Sequence, residues 1–147
     1  MRFFSSSLKN LWVLAALLPL ATGLACGKQA GHVRVMPVHG RVFWRGKPLA
    51  NALVILHPQN TAELAGLRPL AHADQTGSFE LTTYDEGDGA PAGDYAVTIE
   101  WRRPARGEDR DPPRNELPVR YSRPDSTPLH VTIDDRTTEL PVLEVQR

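Results

Sequence analysis

The chain has 147 residues with 17 basic and 17 acidic side chains, so it carries no overall electrostatic bias toward nucleic acid. Its single cysteine excludes an intramolecular disulfide and leaves stability to core burial. Thirteen prolines and eleven glycines argue for many turns and few long helices.

The first 25 residues read as an export signal. Arg2 and Lys9 give a positive start, the apolar run Leu11 to Ala25 follows, and Gly23, Leu24 and Ala25 stand directly before Cys26, the three-part layout of a cleavable signal. The run is shorter than the roughly 20 apolar residues a bilayer span needs, and Pro19 would disturb a helix within it. Gly23-Leu24-Ala25-Cys26 resembles the lipobox of bacterial lipoproteins. The resemblance implies that residues 1–25 are removed and that Cys26 becomes the N-terminus, with palmitate or similar acyl chains on its thiol and amine. An ordinary signal followed by an incidental buried cysteine is the alternative. Several acyl chains, at about 0.8 kcal/mol per buried methylene, would hold the protein on a membrane without crossing it. Gly27 replaces the Asp that retains such lipoproteins on the inner membrane, which leans the expected location outward, on the periplasmic face or outer membrane of the cell envelope.

Without Arg2 and Lys9 the chain keeps 15 basic and 17 acidic residues. About 120 residues remain, enough for one domain and too few for two good cores. Residues 26–36 begin polar and glycine-containing, which suits a lipidated tether, and residues 37–147 form the expected domain.

From Val38 the pattern has period two, with Val38, Gly40, Val42 and Trp44 on one face and His39, Arg41 and Arg45 on the other. Arg45-Gly46-Lys47-Pro48 is a turn signal. Ala52 to Leu56 is a short aliphatic strand, and Gln59 to Pro69 a loop with room for one helical turn over Ala62 to Leu67. Asp74 to Gly77 is a tight turn into a strand over Ser78 to Tyr84, and Asp85 to Gly93 is the densest turn. In Asp94 to Trp101 the residues Tyr95, Val97, Ile99 and Trp101 alternate with Ala96, Thr98 and Glu100, as in a sheet with one buried face. Arg103 to Pro118 holds four prolines and no periodicity, hence a long loop. Leu129, Val131 and Ile133 alternate again, and Leu140 to Val145 makes a last strand of ambiguous register. About seven short strands give an all-β fold of the sandwich kind.

Val38-x-Gly40-x-Val42, then Gly46-Lys47-Pro48-Leu49-Ala50-Asn51-Ala52-x-Val54, then Gly77-Ser78-Phe79-x-Leu81 and Gly93-Asp94-Tyr95-x-Val97, resemble in order and spacing the carboxypeptidase regulatory-like family. That resemblance covers roughly Val38 to Trp101 and implies a transthyretin-like β-sandwich. Its motif residues are turn formers and core side chains, which specify a fold and imply no reaction.

His32, His39, His57, His72 and His130 form no H-x-H or H-x-x-x-H pair, and no cysteine remains to join them as metal ligands. The acidic turn Asp85-Glu86-Gly87-Asp88-Gly89 invites calcium but lacks EF-hand spacing, and turn chemistry alone explains its Asp and Gly. No Gly-x-Ser-x-Gly elbow is present. The C-terminal Tyr-Arg-Gly-Ser of transthyretin-like hydroxyisourate hydrolases is absent, and Lys28 and Lys47 have no Asn in the last strand for an isopeptide bond. Arg102, Arg103, Arg106, Arg110, Arg114 and Arg120 could meet an anionic partner, but Glu108, Asp109, Asp111 and Glu116 are interleaved. Trp44, Tyr84, Trp101 and Tyr121 could stack on sugars or fill the core.

The expectation is therefore a non-catalytic lipid-anchored envelope module, lipidated at Cys26, with no catalytic, cofactor or metal residues. It serves structure or weak binding of a cell-envelope polysaccharide or protein and has no nucleic-acid partner. The alternative is an envelope hydrolase or metal-dependent enzyme built from scattered His and Asp residues. A third reading, an accessory of a transport machine, expects an exposed apolar patch.

Overall fold

The computed structural model describes residues 32–59, 62–102 and 114–147. The export signal, Cys26 and the middle of the arginine-rich stretch, Arg103 to Arg110, lie outside the described residues. Within them the chain is all-β, with no α-helix and ten strands. These are β1 (Val35–Met36), β2 (His39–Trp44), β3 (Lys47–Pro48), β4 (Leu53–Pro58), β5 (Leu70–His72), β6 (Ser78–Glu80), β7 (Ala90–Pro91), β8 (Gly93–Glu100), β9 (His130–Ile133) and β10 (Leu143–Val145). Single 3₁₀ turns cover Ala62–Leu64 and Val119–Ser122.

One antiparallel sheet has the order β5-β4-β8-β9. The second is centred on β2, which pairs β3 and β6 antiparallel and β10 parallel, with Leu143 opposite Val42 and Val145 opposite Trp44. Both sheets contribute to one apolar cluster containing Val42, Phe79, Leu143 and Val145 from the β2 sheet and Val54, Leu56, Val97, Ile99, Val131 and Ile133 from the other. The sheets are stitched at one corner, where Leu70 and Thr82 exchange backbone hydrogen bonds of 2.9 and 2.8 Å.

The local chemistry accounts for these elements. Arg45 and Gly46 both have positive φ, 53° and 69°, the two-residue hairpin turn whose twist matches that of its strands. Gly40 is bare because Phe79 covers it: a Cβ there would lie 2.6 Å from the Phe79 ring. Tyr95 sits in the core with its hydroxyl donating to the Pro91 carbonyl at 2.8 Å, and burial first, then the Tyr84 phenol, push its pKa to about 12. It therefore remains a protonated donor at any neutral pH.

Three expectations change. The strand anticipated over Ser78 to Tyr84 ends at Glu80, because the Asp88 carboxylate draws the Thr83 and Tyr84 N–H groups away from a ladder. β8 is buried from Tyr95 through Ile99 on both faces, not one. It lies between β4 and β9, and the small Ala96 sits opposite both His57 and His130. The fold also starts upstream of residue 37, since β1 pairs β7 with Val35 opposite Pro91 and Met36 opposite Ala90. Gly89 makes that contact possible, with φ of +97° and no room for a Cβ against the Met36 carbonyl.

Candidate functional site

A depression of about 770 Å³ lies over the outward face of β2 and β6 and the neighbouring edge of β5. The alternation of β2 sends Gly40 and Val42 into the core and leaves His39 and Arg41 exposed. Antiparallel pairing then sets Glu80 opposite His39 and Ser78 opposite Arg41. A parallel bridge brings Glu139 beside His39, and the Arg41 guanidinium reaches its carboxylate at 3.4 Å, a solvent-exposed pair of small energetic weight. β5 adds Leu70 and His72 along the opposite wall, and the acidic turn adds Glu86 and Gly87.

The carboxylates nearest to being ligands are engaged by their own loops. Asp74 Oδ1 accepts the Thr76 hydroxyl and N–H, each at 2.7 Å, and the Ser78 N–H at 3.0 Å. These bonds, led by the Thr76 hydroxyl, hold its carboxyl below the usual range. Asp88 accepts from Thr83 at 2.7 Å and from Tyr84 and Asp85 at 3.0 Å each. Partial burial pushes this carboxyl up, but the backbone bonds outweigh it and its pKa is lowered.

The structure brings His39 and His72 to one groove and separates the other candidates. His57, on the other sheet, meets the Thr98 hydroxyl at 2.8 Å, and burial first, then Arg68, lowers its pKa. His130 borders a smaller depression with Asp94 and Thr132. The His32 ring packs against Tyr84 at a tilt, with centroids 4.3 Å apart. Among the described residues no three of His, Cys, Asp and Glu converge as metal ligands. The groove can bind by charge and hydrogen bonding.

Arg102, Arg120, Trp44, Trp101 and Tyr121 make contacts within the domain. Arg102 chelates Glu100 Oε2 at 2.9 and 3.1 Å, and Arg120 donates to the carbonyls of Gln146 and Arg147. Trp44 and Trp101 form an edge-on pair at 5.6 Å, with Trp101 Nε1 donating to the Ala50 carbonyl at 3.0 Å. Tyr121 is buried and its hydroxyl accepts the Gln146 N–H at 2.9 Å. Among the described residues the exposed large apolar side chains are Leu70, Val119 and Val142. Sequence reasoning missed the His57–Thr98 pair and the arrival of Glu139 at His39. Both depend on strand register, although the outward parity of His39 was readable.

No known family model matches the chain, and no curated protein matches it. Among solved structures it is similar to the crystal structure of a 9R-lipoxygenase from Cyanothece PCC8801, at 17% identity and a TM-score of 0.39. That likeness covers 76% of this chain and spans 16% of the lipoxygenase's length.

Proposed function

We propose that this protein is a non-catalytic module of the cell envelope, exported, lipidated at Cys26, and serving structure or weak binding of polysaccharide or protein. The observation that carries the reading is the sequence Gly23-Leu24-Ala25-Cys26 at the end of a short apolar run behind Arg2 and Lys9. The transthyretin-like, carboxypeptidase regulatory-like sandwich belongs to the same proposal. It is supported by the packing of its motif residues, with Phe79 laid over Gly40 and Tyr95 and Val97 in the apolar cluster. A binding role rather than catalysis is supported by Asp74 and Asp88, whose carboxylates are committed to loop backbone.

The test is mass spectrometry of the mature N-terminus together with membrane fractionation. An acylated Cys26, and release of a still-folded Cys26→Ser protein from the membrane, are the expected results. An unmodified Cys26 in a soluble protein would overturn the anchor.

The shared groove of His39 and His72 favours one second reading, an envelope hydrolase or metal-dependent enzyme. Turnover of an envelope substrate that disappears in His39→Ala or His72→Ala would establish it over the first. A glycan array with the domain lacking its signal and anchor tests the binding role directly.

A further inference from the structure

Residues 32–36, in the stretch expected to be tether, are packed against one end of the domain. The Val33 N–H donates to the Tyr84 hydroxyl at 3.1 Å, and the His32 ring packs on the Tyr84 ring at 4.3 Å. Two residues later β1 pairs with β7, sealed by the close approach of Gly89 to Met36. His32 is thus the point from which covalent reach toward Cys26 must be measured. Five residues lie between them, which makes six steps, and a fully extended chain covers at most about 3.5 Å per step, so Cys26 lies within about 21 Å of His32 in any conformation.

The clamp sits at a defined end of the sheets. β2 starts with His39 opposite Glu80, near the turn that carries Tyr84, and finishes with Trp44 opposite Lys47. β8 runs from Gly93 beside β7 to Glu100, next to the Trp101 that packs on Trp44. The eight residues of β8 span seven steps and set its two ends roughly 23 Å apart at about 3.3 Å per residue.

We infer that the domain presents its Tyr84 end, with the exposed Asp85 and Glu86, to the lipid surface and holds the Arg45-Gly46 hairpin and Lys47 away from it. The inference rests on the anchoring of Cys26 proposed above and adds to it the face that meets the bilayer. The 770 Å³ groove, which Glu86 and Gly87 border, then opens beside the membrane, so a partner of the groove approaches along the surface.

Full-length protein carrying Glu86→Cys or Lys47→Cys is labelled with a thiol fluorophore. Each is reconstituted into phosphatidylcholine vesicles containing headgroup spin-labelled phosphatidylcholine. Flotation with the vesicles and several-fold stronger quenching at position 86 than at 47 are expected. Equal quenching at both positions, or stronger quenching at 47, in protein that still floats overturns the orientation and leaves the anchor standing. Protein that fails to float overturns the anchor and the orientation with it. Tyr84→Ala removes both the ring contact and the hydroxyl acceptor, and melting confirms whether it stays folded. In folded variant protein the difference between the two positions should shrink, and an unchanged difference would show that the clamp does not orient the domain.

Discussion

The Asp88 carboxylate caps three consecutive N–H groups, those of Thr83, Tyr84 and Asp85, in the turn where β6 has already ended. Hydrogen bonds to a charged group are each worth about 1.5–3 kcal/mol, and solvent at this partly exposed turn offsets much of that. Asp88→Ala should therefore cost about 2 kcal/mol, read as a shift in the urea midpoint. Because its folded pKa is depressed, this stabilisation is present above the ordinary value of 3.8 and is lost as pH falls through the folded value. His57 works in the same direction for the opposite reason. Burial and Arg68 disfavour its cation, so the unfolded chain binds the proton more readily. Stability is complete above the ordinary value of 6.5 and declines as pH drops below it toward the folded value. Thermal melts between pH 7.5 and 5 should show that decline, and His57→Gln should flatten it.

Among the strands, β10 depends most on a distant partner. Its three residues alternate, with Leu143 and Val145 buried in the shared cluster, and their ladder is the parallel one to β2. Leu143→Ala should destabilise by about 3 kcal/mol, as deletion of a buried leucine does where the cavity cannot collapse; equilibrium denaturation measures it. β10 also marks the boundary of what could be read from the residues alone. The alternation in β2 and β9, the Arg45-Gly46 turn and the turn at Asp74 to Gly77 were legible, because parity and turn chemistry are local properties. The partner and direction of β10 were not, because a three-residue apolar alternation is compatible with either orientation and any edge. The burial of both faces of β8 was hidden for a related reason: Ala96 and Thr98 are neutral in pattern, and their position between β4 and β9 is a fact of sheet order. The groove followed the same rule, with His39 visible by parity and His72, Glu80 and Glu139 reaching it through register.

For the molecule as a whole, the described residues make one body whose two four-stranded sheets share a core and to which the small β1-β7 sheet ties Val35–Met36. Cys26→Ser should leave that body intact, so its melting curve should match that of the parent even as its membrane fraction falls. The parallel pairing of β2 with β10 joins positions about a hundred residues apart. Such a closure gives the chain a high contact order, and domains of this kind fold in milliseconds to seconds rather than microseconds. Stopped-flow refolding should fall in that slow range, and a microsecond phase carrying the full amplitude would contradict it. Until Leu143–Val145 are available, the side of β2 that accepts β10 is an open edge with unsatisfied backbone groups and an uncovered apolar face. A chain delivered from its N-terminus thus has β2 waiting on a strand made about a hundred residues later, and the interval between them is when it is most exposed to pairing with a neighbour.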